Sequence, residues 1–154
     1  MLTILSCLPA DHDLRYVAAA LLVCGLGSIL SMRLLARVRR NTGLRRFHLL
    51  FLAGLVAGGT VWTTHFAAIL GYDAPGHRSF EAGLTFASLG LAVVFSLLGF
   101  FITTRTQRGP LIEAGGAVFG FGIAAMHYTG MAALTVAPIA GLDTPAQALP
   151  ESLL

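Results

Sequence analysis

Apolar residues gather along this chain into four long runs separated by short polar breaks: Tyr16–Leu35, Phe47–Leu70, Ala82–Phe101 and Leu111–Ala137. Each run is close to the roughly 20 helical residues that cross about 30 Å of hydrocarbon. No alternation of period two runs through them, and an open sheet would leave backbone groups unsatisfied in lipid, so the runs predict helices rather than strands. The expected fold class is all-α: a polytopic membrane helix bundle of four transmembrane helices in two tandem helix pairs. Around it, residues 1–15 read as an outward-facing leader, 16–137 as the transmembrane domain, and 138–154, with Gly141, Asp143, Pro145 and Pro150, as an exposed tail. Met1 to Ala10 lacks the basic start and the apolar length of a secretion signal.

A coarse repeat runs through the pattern. Sliding the chain by the interval that separates His65 from His127 superposes Gly54-x-x-x-Gly58 on Gly116-x-x-x-Gly120, and His65-Phe66 on His127-Tyr128. This is how two copies of one helix pair would look. Small residues four apart let helices approach closely, so these stripes are expected to bring the second and fourth helices together.

Composition supports the membrane reading. Of 154 residues, 56% are hydrophobic and 11% charged, with mean hydropathy +0.79, which leaves too little charged surface for a soluble domain. The net charge of +3 and pI of about 9.4 raise nucleic acid as a partner. However, the ten basic residues are all arginines, and most cluster at two breaks: Arg33, Arg37, Arg39, Arg40, Arg45 and Arg46 at the first, Arg105 and Arg108 at the third. That is loop chemistry, and the expected partner is the lipid bilayer rather than nucleic acid. By the positive-inside tendency those two connections are cytoplasmic, and the amino terminus with Asp11, His12 and Asp13 faces outward. Cys7 and Cys24 are far apart with no second cysteine or histidine at ligand spacing, and read as small apolar residues.

The unusual chemistry lies in Met126-His127-Tyr128-Thr129-Gly130-Met131. On a helix His127 and Met131 share a face, with Met126 and Tyr128 to either side. His65 lies five residues before Leu70, on the order of 8 Å from that end of its helix, and His127 about 24 Å along the fourth run from Leu111. The two depths agree, so both imidazoles can converge just beneath the outer surface.

Imidazole with thioether suits a soft or borderline metal, above all copper, whereas the oxygen ligands of magnesium or calcium are almost absent from the runs. The candidate metal residues are therefore His65, His127, Met126, Met131 and Tyr128, with His12 of the leader as a further ligand. His127 keeps its sulfur neighbours and is expected to matter more than His65. His48 and His77 read as surface residues, and Glu113 as a carboxylate suited to a helix start. Two other readings stay open: bis-histidine haem ligation by His65 and His127, and a structural or transport bundle in which the histidines only cross-link helices. No nucleophile–base pair, phosphate-cradling loop or carboxylate dyad is present, so no enzymatic activity is expected of the chain itself.

Met126-His127-Tyr128-Thr129 followed by Gly130-Met131 resembles the motif that gives the MHYT-domain family of bacterial membrane sensors its name. Trp62-Thr63-Thr64-His65-Phe66 resembles a degenerate earlier copy, in which Thr64, Phe66 and Ile69 stand where a full motif has Met, Tyr and Met. The resemblance implies an integral sensor of the bacterial cytoplasmic (inner) membrane that binds copper near the outer face. Through the copper it would sense oxygen, carbon monoxide or nitric oxide. It also implies cyclic-di-GMP enzymes, histidine kinases or other domains as the output. The family pattern has seven spans and a third motif. A chain of four spans and two motifs is then expected to form a homo-oligomer, to work with a separate signalling partner, or to be a fragment.

Overall fold

Four helices carry the apolar runs in the computed structural model, which describes residues 13–72, 77–105 and 109–137. They are α1 (Leu14–Arg39), α2 (Gly43–Gly71), α3 (Ala82–Arg105) and α4 (Gly109–Ala132). Each is long and apolar enough to cross a bilayer, and the chain is a multi-pass membrane protein. Its surface says the same: Leu21, Leu26, Phe86 and Phe121 are 64–70% exposed, which only a lipid solvent makes favourable. The leader with Cys7 and His12, and the tail after Ala137, lie outside the described residues.

Three of the helices outrun the apolar stretches that announced them. Arginine is a good helix former whose stem lies along apolar surface, so α1 continues through Arg37 to Arg39 and α2 begins at Gly43 instead of Phe47. The turn between them is tight. The Asn41 side chain donates to the Arg37 carbonyl at 2.7 Å, and Gly43 takes φ +59°, open to glycine at little cost. Asp13 caps α1 by accepting from the amide of Arg15. Glu81 caps α3 by accepting from the amides of Leu84 and Gly83, which hold its carboxyl below the usual carboxylate range. That cap is in force near neutrality and is lost as pH falls through the lowered value.

The fourth run, read as helical to Ala137, corrects in the other direction: α4 stops at Ala132 and residues Leu134–Ala137 form strand β2. Its partner is β1 (His77–Phe80), antiparallel, with His77 opposite Ala137 and Phe80 opposite Leu134. Thr135 and Val136 are β-branched, and Pro138 disfavours a helical Ala137. This two-stranded ribbon lies outside the apolar spans, and Glu81 extends it by donating to the carbonyl of Ala133 at 2.9 Å.

The helices pack chiefly on their sequence neighbours, α1 on α2, α2 on α3 and α3 on α4. The α3–α4 seam brings two glycines face to face. A Cβ on Gly115 would lie 2.7 Å from the Gly99 carbonyl, and one on Gly99 would lie 2.8 Å from that of Gly115. On α2, Gly54 faces Leu97 and Gly58 faces the backbone of Val93, so this stripe meets α3 instead of α4. Gly116 and Gly120 have open space around them. The glycines of α4 packed against α3 are Gly115 and Gly122, the latter against Phe95, and the one-residue offset from Gly116 to Gly115 turns the contact face by about 100°. The expectation that the two glycine stripes join α2 to α4 therefore fails, since α3 stands between them along most of their length. Across the α2–α3 interface, the Trp62 indole donates to the Ser88 hydroxyl at 3.1 Å.

Gly115→Ala is expected to destabilise the fold by about 1–3 kcal/mol through overpacking. Gly116→Ala, in open space, should be neutral or raise stability through helix propensity. Thermal unfolding of the two variants in detergent, each beside the unmodified protein, checks this, and equal effects would contradict the seam.

Candidate metal centre

Although α3 separates α2 and α4 along most of their length, the two meet at the end that carries the ribbon. The Nδ1 atoms of His65 and His127 stand 3.3 Å apart, with ring centroids 4.8 Å apart and planes at 72°. Gly130 permits the meeting. A Cβ there would come within 2.9 Å of His65 Nε2 and 3.4 Å of the Phe66 ring, so the imidazole slides over the backbone of α4 where any larger residue would hold it off. His65 Nε2 is thereby sealed from solvent with no hydrogen-bond partner, which leaves Nδ1 as the nitrogen that faces another group.

Aromatic rings back the pair. Phe66 stands edge-on to His65 at 5.2 Å, tilts against Trp62 at 4.6 Å, and meets Phe80 of β1 at 5.5 Å. Through Phe80 the ribbon thus joins the aromatic cluster behind His65. The enclosure is one-sided: these rings back the half-buried His65, whereas His127 is exposed on the outer side of the pair.

The other candidates divide. Met126 is 1% exposed and belongs with Gly122 and Gly130 to the buried stripe of α4, a packing position. Met131, on the same face as His127, is 43% exposed and free to turn its sulfur. Tyr128 meets the His127 ring edge-on at 5.5 Å but is 75% exposed, directed away from the pair's buried side. His12 lies outside the described residues. Among the described residues no group of three His, Cys, Asp or Glu side chains comes together.

Two chemistries fit nitrogens at this separation. If one ring carries its proton on Nδ1, it can donate to the other, although 3.3 Å is at the long end for a hydrogen bond. Alternatively, a metal ion at imidazole distances of about 2.0–2.1 Å with a tetrahedral angle between its ligands sets the two nitrogens about 3.3 Å apart. Gly130 and the Phe66–Phe80 contact were not recognisable as parts of the site from sequence. The one available signal was a glycine three residues after the motif histidine, on the neighbouring face of the same helix.

The profile of the MHYT family, described as a bacterial signalling protein N-terminal repeat, matches residues 58–116 and 120–149. The two matched segments hold His65 and His127 respectively. A signalling protein of Caulobacter vibrioides is 39% identical over 130 residues, 84% of this chain and 16% of that protein. The bifunctional diguanylate cyclase/cyclic di-GMP phosphodiesterase MucR of Pseudomonas aeruginosa is 33% identical over 130 residues, 84% of this chain and 19% of that protein. The cyclic di-GMP phosphodiesterase NbdA of the same organism is 36% identical over 120 residues, 77% of this chain and 15% of its own length. The chain thus spans less than a fifth of the length of these relatives. No solved structure matches it.

The contact between the two rings predicts a cross-link. With Cys7 and Cys24 replaced by serine, His65→Cys combined with His127→Cys is expected to join α2 to α4 through a short dithiol-reactive linker. The join is read on a gel after cleavage of the α3–α4 connection. Thr63→Cys with His127→Cys, two residues away around α2, should not join, and the reverse outcome would contradict the geometry.

Proposed function

The chain belongs to the MHYT family of bacterial signalling proteins, and from that membership we propose that it is a sensory module whose His65–His127 pair binds copper near the outer face of the cytoplasmic membrane. The observation that carries this reading is the 3.3 Å separation of two Nδ1 atoms contributed by different spans. Copper is the metal whose preferences match imidazole beside a mobile thioether, with Met131 as the sulfur donor and Met126 holding the packing behind it. A bound copper ion would supply a redox-active centre able to take a diatomic ligand.

Copper is preferred to haem on geometric grounds. Axial histidines of a haem must lie on opposite sides of the macrocycle, and nitrogens 3.3 Å apart leave no slot for one. The orientation follows from the arginines: Arg37, Arg39, Arg40, Arg45 and Arg46 crowd the α1–α2 connection and Arg105 ends α3. In a bacterial cell that end belongs in the cytoplasm.

As a family, MHYT domains are sensors rather than catalysts. The cyclic di-GMP activities named for the Pseudomonas relatives point to cyclic di-GMP turnover as the output, delivered by a domain or partner protein beyond the matched region. The mechanical part is done by this chain's own residues. His65 and His127 are the contact between α2 and α4 at one end, and at the other Arg46 donates to the Thr104 carbonyl at 2.9 Å, joining α2 to α3. A change in the separation of the imidazoles is thus carried along α2 to the arginine-rich connection.

Elemental analysis and titration of detergent-purified protein with Cu(I) and Cu(II) test the reading. Loss of outer partners alone lowers metal affinity by about 10–100-fold, so His65→Ala and His127→Ala are each expected to weaken copper binding by more than about 100-fold. Met131→Leu should weaken Cu(I) more than Cu(II), and Met126→Leu should leave both nearly unchanged. Retained copper in both histidine variants, or a Soret band in the unmodified protein, would overturn it.

A further inference from the structure

A second feature lies away from the histidines and owes nothing to them. All four helices contribute to a cavity of about 180 Å³ at mid-span, walled by Cys24, Ser28, Met32, Thr60, Phe100 and Phe119. Phe100 and Phe119 stack with centroids 5.6 Å apart and planes at 13°, forming a flat apolar floor. The hydroxyl of Thr60 donates to the Val56 carbonyl at 2.6 Å and that of Ser31 to the Ala53 carbonyl at 3.4 Å, so both are satisfied within α2 and across the α1–α2 seam. Ser28 and Met32 also line a surface depression along α1 that continues past Ala36 and Arg33. The two adjoin at Ser28 and Met32, and together they lead as a crevice from mid-span toward the arginine-rich end.

At its mouth stands Arg33. Arg33 lies six residues before the end of α1, about 9 Å inside it, and Arg37 follows on the same face one turn later. Two other arginines at this end are engaged: Arg46 with the Thr104 carbonyl, and Arg105 over the Phe101 ring at 4.3 Å. The side chains of Arg33 and Arg37 are exposed and make no hydrogen bond or ion pair among the described residues. The described carboxylates are Asp13 and Glu81 near the ribbon end and Glu113, also exposed, on α4.

We propose that the crevice holds an acyl chain of one anionic phospholipid, its tail against Phe100 and Phe119 and its phosphate on Arg33 and Arg37. A slot in hydrocarbon with apolar walls is filled by a tail more favourably than by water, and paired arginines at headgroup depth select the anionic headgroup. The lipid is then part of the fold, bridging α1 to the seam between α3 and α4.

Native mass spectrometry of the full chain, released from nanodiscs of phosphatidylcholine with and without phosphatidylglycerol, tests this. One phosphatidylglycerol is expected to survive release, and Arg33→Gln with Arg37→Gln should lower its retention roughly thirty-fold. Arg39→Gln with Arg40→Gln should change it little. Ser28→Trp, which fills the crevice from an exposed position and leaves the arginines intact, should also expel the lipid. Equal losses from both arginine pairs would reduce the effect to general surface charge and overturn the proposal. Retention in Ser28→Trp, or release of a dimer that these variants dissociate in place of a lipid adduct, would overturn it too.

Discussion

Close backbone approach between helices is the constraint on which this molecule rests. In lipid, apolar side chains gain nothing by leaving solvent for one another, so helix association depends on van der Waals contact and a few interhelical hydrogen bonds. Gly99 against Gly115 brings α3 and α4 nearly backbone to backbone, and Gly58 against Val93 does the same for α2 and α3. With both outer partners drawn tightly onto α3, the ends of α2 and α4 come within reach of each other. Gly130 then lets the two imidazoles meet.

Much of the architecture was legible in the sequence because hydropathy reports the solvent directly. The four spans, the arginine-rich connections and the shared depth of His65 and His127 all follow from the spacing of apolar and charged residues. Helix ends were less legible. Arginine continues a helix past the hydrocarbon it serves, while Pro138 and the β-branched pair before it end α4 early. The packing faces were least legible, since Gly115 and Gly116 are neighbours in the chain and lie about 100° apart around the helix. Only the path of α3 decides which of them is buried.

The site is as much a product of packing as of ligand chemistry. Met126 and Met131 look equivalent beside His127 in the sequence, yet one is enclosed in the helix interface and the other is free to move. The first motif, reduced to its histidine, supplies a ring whose partner nitrogen comes from the second motif. Loss of methionine and tyrosine around His65 therefore does not leave a broken copy. It leaves a histidine that faces the histidine of the other repeat.

The ribbon of β1 and β2 adds a mechanical consequence. It fastens the connection after α2 to the exit from α4, with Glu81 donating to Ala133 beside it. The two histidine-bearing helices are thus clamped together where their rings touch. Because α3 is packed close against both along the rest of their length, that end is where α2 and α4 hold each other without an intervening helix.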